Sequence, residues 1–242
     1  MVYTTKFLSR EEIASGTMAF HFEKPAGFQY TAGQYINITL KNPPETDPEG
    51  DLRSFTLSSA PSETDLMVVM RMRDTAFKRV LKSMPIGTEV EIDGPVGDFV
   101  LPDDASAPIV FLMGGIGVTP ARSMCVEAAA TKKPHKLFLF YSNKRPEDAA
   151  FLTELMALEQ SNPNYKFIAT MTEMLKSKQP WTGETGFINQ ITVDKYLKAI
   201  SYKLSAIFYI SGPPAMVSAM RNTLEAMKID PKNIQTEEFT GY

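Results

Sequence analysis

Gly114-Gly115-Ile116-Gly117-Val118-Thr119-Pro120 has residue types and an order suited to holding a phosphate. It follows the unbroken apolar run Ile109-Val110-Phe111-Leu112-Met113 and opens a helical stretch. Glycines at such a junction let backbone N–H groups approach an anion, and the positive end of the helix favours its charge. Pro120 suits a first helical turn, where no N–H is required. The run is not a Walker loop, because no Lys-Ser/Thr follows, nor a G-x-G-x-x-G loop, because proline holds the last place. A tight strand-to-helix turn that binds nothing would use the same glycines. Ser211-Gly212-Pro213-Pro214-Ala215-Met216 follows a second apolar run, Ile207 to Ile210. Ligands of open parallel sheets collect outside the carboxyl ends of the strands, so the two turns would face one crevice. A third candidate is Arg53-Ser54-Phe55-Thr56, which on a strand puts Arg53 and Phe55 on one face and Ser54 and Thr56 on the other. Alone, that loose pattern proves little.

Other chemistries are poorly provided for. Cys125 is the only cysteine, so neither an internal disulfide nor a cysteine-held iron–sulfur cluster is expected. His21 and His135 are isolated, which leaves no zinc constellation, and no metal site is expected. A net charge of −3 argues against nucleic acid or an anionic membrane as the main partner. No apolar run reaches the roughly 20 residues that span a bilayer. The opening MVYTTKFLSREEIASG lacks the layout of a signal peptide, and a cytoplasmic protein is expected. Any redox chemistry would then need an organic cofactor.

Two patterns of elements would position these motifs. Up to about residue 100 the chain reads as short strands separated by turn residues: Met18 to Glu23, Gln34 to Leu40, Ser54 to Leu57, Leu66 to Met72 and Glu89 to Ile92. One helix interrupts them, with Ala76, Phe77, Val80, Leu81 and Met84 on a single face. Many short strands and one helix imply an antiparallel barrel or sandwich. The polar, proline-flanked Leu101 to Pro108 marks a boundary. Beyond it, apolar runs at 109–113, 137–141, 167–171 and 207–210 alternate with helical stretches at 120–131, 147–160 and 214–227. That alternation implies a doubly wound α/β domain around a parallel sheet. The expected division is 1–103 and 104–242. Fourteen methionines, several at strand or helix-face positions, read as flexible core filling.

Arg53-Ser-Phe-Thr, Gly94-Pro-Val-Gly-Asp-Phe99, Gly115 to Pro120, Tyr141-Ser-Asn143, Ser211 to Met216 and Glu237-Glu-Phe-Thr-Gly-Tyr242 occur in this order. Together they resemble the ferredoxin–NADP reductase superfamily over nearly the whole chain. The resemblance implies an antiparallel FAD-binding barrel followed by an α/β domain that binds NAD(P), its C-terminal tail returning to the flavin. It implies that Arg53 pairs with the FAD pyrophosphate, Ser54 and Phe55 flank the flavin, and Thr56 approaches flavin N5. Phe55 stands where the family more often has tyrosine. Val69, Met70 and Arg71 would offer backbone groups to the flavin's polar edge. Thr75, Ala76, Phe77 and Lys78 would replace the family's glycine-containing phosphate loop. Gly115, Gly117, Thr119 and Pro120 would meet the nicotinamide nucleotide, with Gly212, Pro213, Pro214 and Met216 across the crevice. Ser211 takes the place of a frequent cysteine. Glu238 resembles the terminal acid, and Phe239 or Tyr242 the aromatic that covers the flavin, although Phe239 would equally suit core packing.

Ser142, Asn143, Lys144 and Arg145 fall where the adenosine ribose lies in such proteins. A hydroxyl and two cations favour the 2′-phosphate of NADP(H) over NAD(H), while solvated loop charges would look the same in sequence. The implied activity is hydride transfer between NAD(P)H and FAD, with electrons passed to a separate acceptor such as ferredoxin or flavodoxin. Two alternatives are a reductase for quinones, ferric complexes or free flavin, and a flavin-bearing docking subunit without its own turnover.

Overall fold

The computed structural model describes residues 1–198 and 205–239. Val2–Ala14 (β1), Thr17–Glu23 (β2), Tyr35–Leu40 (β3), Leu52–Thr56 (β4), Asp65–Arg71 (β5) and Glu89–Val96 (β6) form an antiparallel sheet in the order β4-β3-β6-β1-β2-β5. A bridge between Leu57 and Val68 joins the two outer members and closes the sheet into a barrel. Strict alternation builds its core: Ile36, Ile38 and Leu40 point inward while Tyr35, Asn37 and Thr39 stay half-buried. Phe7, Phe20, Phe22, Leu66 and Val68 meet them inside, and the helix Ala76–Ser83 (α1) adds Phe77, Val80 and Leu81 from one end. β1 was not legible in the sequence. Only Thr5 and Phe7 of its thirteen residues are buried, so it carries almost no apolar period.

The second sheet holds Ile109–Gly114 (β7), Leu137–Asn143 (β8), Tyr165–Met171 (β9), Glu184–Thr185 (β10), Ile207–Gly212 (β11) and Ile234–Glu238 (β12), in the order β10-β9-β8-β7-β11-β12. All its pairings are parallel. The helices Val118–Ala130 (α2) and Leu152–Ser161 (α3) cover one face through Val118, Ala121, Met124, Cys125 and Leu155. The helices Gln190–Leu197 (α4) and Pro214–Ala226 (α5) cover the other through Val193, Leu197, Val217, Met220 and Leu224. Both faces are therefore dry, which is why β7 is buried along its whole length. The chain winds outward from β7 to β10 and then returns to the other side of β7 as β11. That reversal puts the switch point of the sheet at the carboxyl ends of β7 and β11, where ligands of such sheets bind.

α3 starts five residues later than the pattern implied, because Pro146–Asp148 forms a separate 3-10 turn and Phe151 takes a left-handed φ of 60°. The Trp181 loop is pinned by its indole N–H, which donates to the Glu184 carbonyl at 2.8 Å. Among the described residues, no helix is long and apolar enough to cross a membrane, and no cluster of three metal-ligating side chains occurs. Cys125 is buried, and burial pushes its thiol far above the ordinary range.

Candidate functional site

On β4, Arg53 and Phe55 are half-buried on one face, Ser54 is exposed and Thr56 is buried. Arg53 Nη2 donates to Asp47 Oδ1 at 2.9 Å and lies 2.9 Å from Glu49 Oε2. Its Nη1 donates to the carbonyls of Glu49, Gly50 and Leu52, and the guanidinium sits 5.4 Å over the Phe77 ring. The other oxygen of Asp47 accepts the Ala76 N–H, at the first turn of α1, at 3.2 Å. One carboxylate thus bridges a guanidinium fork and a helix N-terminus. Desolvation works to raise the Asp47 carboxyl, but Arg53 and the two N–H donors hold it below the usual range. A diphosphate seeks the same two donors, so the set fits the FAD pyrophosphate, with Asp47 standing in for a phosphate oxygen.

The rest of that phosphate loop differs from expectation. The Thr75 hydroxyl caps α1 by accepting the Lys78 N–H, and the side chains of Ala76 and Phe77 belong to the barrel core. The backbone N–H groups of Ala76 and Lys78 in this turn are thus already engaged, by Asp47 and Thr75. Lys78 Nζ donates to the Arg71 carbonyl at 2.7 Å, which engages one of the three ammonium donors. Burial, then the charges of Arg73 and Arg53, pull the Lys78 pKa down. Val69 and Met70 are buried on β5, whose second side has, among the described residues, no ladder partner beyond the Leu57–Val68 bridge.

The two glycine turns lie against each other. Gly115–Gly117 forms a 3-10 turn before α2, and Gly115 adopts φ 51°. A Cβ on Gly117 would sit 2.5 Å from both the carbonyl carbon and the oxygen of Ser211. Gly212 holds φ 155°, which a side chain would strain. Thr119 turns inward, its hydroxyl donating to the Ile116 carbonyl at 3.1 Å, and Pro120 is buried beside it. Both brace the turn instead of reaching for a ligand. Ser211 is fully buried beneath Gly117, and its Oγ has no partner among the described residues. Pro213 and Met216 reach the cleft, whereas Pro214 is exposed at the start of α5.

That cleft, of about 1030 Å³, is walled by Arg71 and Arg73 from the barrel side and by Gly114, Gly115 and Ser142 to Arg145 from the α/β sheet. Asp148, Glu173, Lys176 and Phe187 also line it, none of them legible as site residues in the sequence. Arg145 is committed to Asp148 through Nε and Nη2, each at 2.8 Å, and that pairing raises its pKa. Lys144 is mostly exposed and lies 3.6 Å from Glu173. Asn143 is buried with its Nδ2 unpartnered among the described residues.

At the carboxyl end, Ser211 pairs with Glu237 and Gly212 with Glu238, and the Phe239 N–H donates to the Gly212 carbonyl at 3.1 Å. Phe239 packs on Ala19, Met67, Val69 and Ile116, at the seam between barrel and α/β sheet. Strand alternation sets the two terminal acids on opposite faces. Glu238 faces solvent, while Glu237 shares the inward face with Phe239. Glu237 Oε2 is buried without a partner among the described residues, and burial, with the negative charge of Asp98, pushes its pKa up to about 7. Tyr242 lies outside the described residues.

Among known families, residues 4–101 match the oxidoreductase FAD-binding domain and residues 111–222 the oxidoreductase NAD-binding domain. The chain is 29% identical over 226 residues to the glycine betaine monooxygenase reductase subunit of Chromohalobacter salexigens, a match covering 92% of this chain and 60% of that protein. It is 33% identical over 234 residues to a subunit of the Na(+)-translocating NADH-quinone reductase of Methylococcus capsulatus, covering 91% and 51%. The chain thus spans between half and three-fifths of the length of these curated relatives. A crystal structure of a ferredoxin NADP+ reductase from Neisseria gonorrhoeae with bound FAD and NADP shares the fold, with a TM-score of 0.79, 20% identity and 98% of both chains covered. The two domain matches follow one another as the barrel and the parallel sheet do, and the chain belongs to the ferredoxin–NADP reductase superfamily, with an FAD-binding and an NAD(P)-binding domain.

Proposed function

We propose that the protein is an NAD(P)H-dependent flavoprotein reductase, with residues 1–103 binding FAD and 104–242 binding the nucleotide. The observation that carries this reading is the shared cleft, walled by Arg71 and Arg73 on one side and by the Gly114 and Ser142–Arg145 turns on the other. A dinucleotide lying along the switch point would reach across the seam towards the barrel. When bound, the FAD would accept hydride from the nicotinamide and hand on electrons singly.

The chain's own part is placement. Arg53 and the first N–H groups of α1 would hold the pyrophosphate once Asp47 gives way. Phe55, Thr56 and the β5 backbone at Val69 and Met70 would border the ring, and Phe239 would cover one face. Gly115 and Gly117 would let the nucleotide approach the backbone, with Gly212, Pro213 and Met216 opposite. Glu237 can hold or release a proton at Oε2 near neutral pH, the range useful to a group beside a hydride transfer. Five cations line the cleft against two carboxylates, which supports a modest preference for NADPH. Lys144 and Ser142 are placed to read the 2′-phosphate, and Arg145 is occupied.

The acceptor we propose is a separate redox protein of the ferredoxin or flavodoxin kind. The two relatives are a monooxygenase reductase subunit and a quinone reductase subunit, names that support delivery of electrons to a partner. The test is anaerobic mixing of the FAD-loaded protein with NADPH or NADH. Rapid bleaching of the flavin absorbance is expected. Stable FAD binding without bleaching by either nucleotide would leave a docking subunit, and failure to bind FAD would overturn the whole reading.

A further inference from the structure

Arg122 lies on α2, three residues past Thr119, with a side chain only 6% exposed. Nη1 donates to Glu63 Oε2 at 2.6 Å and to the Ser58 carbonyl at 2.8 Å. Nη2 donates to Glu63 Oε1 at 3.0 Å and Glu154 Oε1 at 2.6 Å, and Nε donates to Glu154 Oε2 at 3.1 Å. All five N–H groups of the guanidinium are therefore engaged. The Phe151 ring covers it at 5.0 Å. Glu154 stands on α3, in the same domain, but Ser58 and Glu63 belong to the loop that leaves β4 of the barrel. The same loop is tied to α2 twice more: Ser123 Oγ donates to the Ser59 carbonyl at 2.6 Å, and the Ser62 N–H donates to Glu127 Oε2 at 2.8 Å.

The position of this clamp in the chain gives it a consequence. Ser58 is two residues from Thr56 on the flavin side, and Arg122 is five residues from Gly117 on the nucleotide side. A buried ion triad is weak as a source of stability, because desolvating three charges offsets much of their attraction. What a planar fork held bidentately by Glu63 does supply is a fixed angle between α2 and the barrel loop across the seam. We propose that Arg122 is a positioning residue: by gripping Glu63 of the barrel from α2, it sets the approach of nicotinamide to flavin, while its pair with Glu154 stays inside its own domain. This rests on the reading of the chain as an NAD(P)H-dependent flavoprotein. Burial works to raise the Glu63 carboxyl, yet Arg122 holds it below the ordinary range, so the pair stays charged near neutral pH.

Glu63→Gln and Glu154→Gln make the same chemical change on opposite sides of the clamp, and both are measured in the full chain loaded with FAD. Glu63→Gln is expected to lower the limiting rate of flavin reduction about tenfold, since misplacement near 1 Å can cost up to about 10²-fold. The long-wavelength absorbance of stacked nicotinamide and flavin should weaken, with FAD affinity unchanged. Glu154→Gln should stay within about twofold of the parent on the same measures. Arg122→Lys, a point charge without the fork, should restore only part of what Arg122→Ala loses. Equal losses in the two glutamine variants would overturn the proposal, as would a parental rate in Glu63→Gln. Should the parent itself fail to bleach, the functional reading falls and the clamp is judged by unfolding. Trp181, the only tryptophan, reports on the α/β domain, and far-ultraviolet dichroism reports on the whole chain. Urea unfolding followed both ways should coincide in the parent and in Glu154→Gln and separate in Glu63→Gln; coincidence in all three would overturn the clamp as well.

Discussion

At the mouth of the barrel the anion-facing groups are two charged side chains and a helix N-terminus, and each already has an internal partner: Arg53 has Asp47 and Glu49, the α1 N-terminus Asp47, and Lys78 the Arg71 carbonyl. At the ends of β7 and β11 the corresponding surface is bare backbone, shaped by Gly114, Gly117 and Gly212 packed against one another. The first surface is built from charge, whose effect is graded and adjustable. The second is built from the absence of Cβ atoms, whose effect is nearly all or none. An organised charge can be held ready by an internal carboxylate until a phosphate replaces it. A backbone approach can only be kept clear.

The sharpest way to test that contrast is Gly117→Ala. Its methyl group would stand 2.5 Å from backbone atoms of Ser211, which no rotamer change relieves. Overpacking of this kind costs about 1–3 kcal/mol, and at this chain length each kcal/mol lowers the melting temperature by about 2–4 °C. Nucleotide binding should be lost in calorimetry while FAD stays bound. Retention of nucleotide affinity would show that the two turns can separate without consequence.

On the charged side, Arg53→Ala should weaken FAD binding without unfolding the barrel. Lost charge-assisted hydrogen bonds are worth about 1.5–3 kcal/mol, or roughly 10- to 100-fold in affinity. Asp47→Asn provides the opposite sign, because a weaker internal rival for Arg53 should tighten FAD binding by about two- to fivefold. Equilibrium dialysis of the apoprotein with FAD measures both. A loss in both variants would mean that Asp47 supports the site and does not compete for it.

Glu237 belongs to neither surface and lies on β12, paired with Ser211 of β11. Its folded pKa of about 7 lies above an ordinary carboxylate value, so the folded chain binds this proton more tightly than the unfolded chain. Stability from this group is fully present below roughly pH 4.5 and is lost as pH rises through about 7. Glu237→Gln should therefore flatten the fall in melting temperature of the apoprotein between those limits, and in the loaded protein it should remove a pH step near 7 from flavin reduction. An unchanged pH profile in both measurements would assign the step elsewhere.

The contrast also accounts for what could be read in advance. Glycine turns after unbroken apolar runs are local signals, so Gly114 to Gly117 and Ser211 to Pro213 were legible as a crevice, and the doubly wound sheet followed from the same runs. Arg53 and Phe55 were legible as one strand face because their spacing is fixed by the pleat. Side-chain partnerships across the chain left no local trace: Asp47 on Arg53, Lys78 on the Arg71 carbonyl, and Glu63 on Arg122. β1 escaped because an exposed strand has no apolar period to show. The sequence does not separate the surroundings of Glu238 from those of Glu237, for a smaller reason. Adjacent residues on a strand face opposite ways, and only the register of β12 against β11 tells which one turns inward.

Beside the Gly114 turn the cleft is lined by the charged side chains of Lys144 and Arg145, and there the smallest effect is expected. Lys144 is exposed and only loosely associated with Glu173, so it is available to a 2′-phosphate at little reorganisation. Exposed charge pairs are screened by solvent, which limits Lys144→Ala to about a two- to fivefold rise in the Michaelis constant for NADPH, with that for NADH nearly unchanged. Arg145→Ala should behave differently, because it releases Asp148, whose carboxyl Arg145 now holds below the ordinary range. An unpaired carboxylate in the cleft repels any dinucleotide, so both Michaelis constants should rise together. Steady-state kinetics with the two nucleotides distinguishes the cases. If Lys144→Ala raises both constants equally, the cleft recognises only the shared diphosphate; if Arg145→Ala is selective for NADPH, the Arg145–Asp148 pair opens on binding and the division of labour between the two cations is reversed.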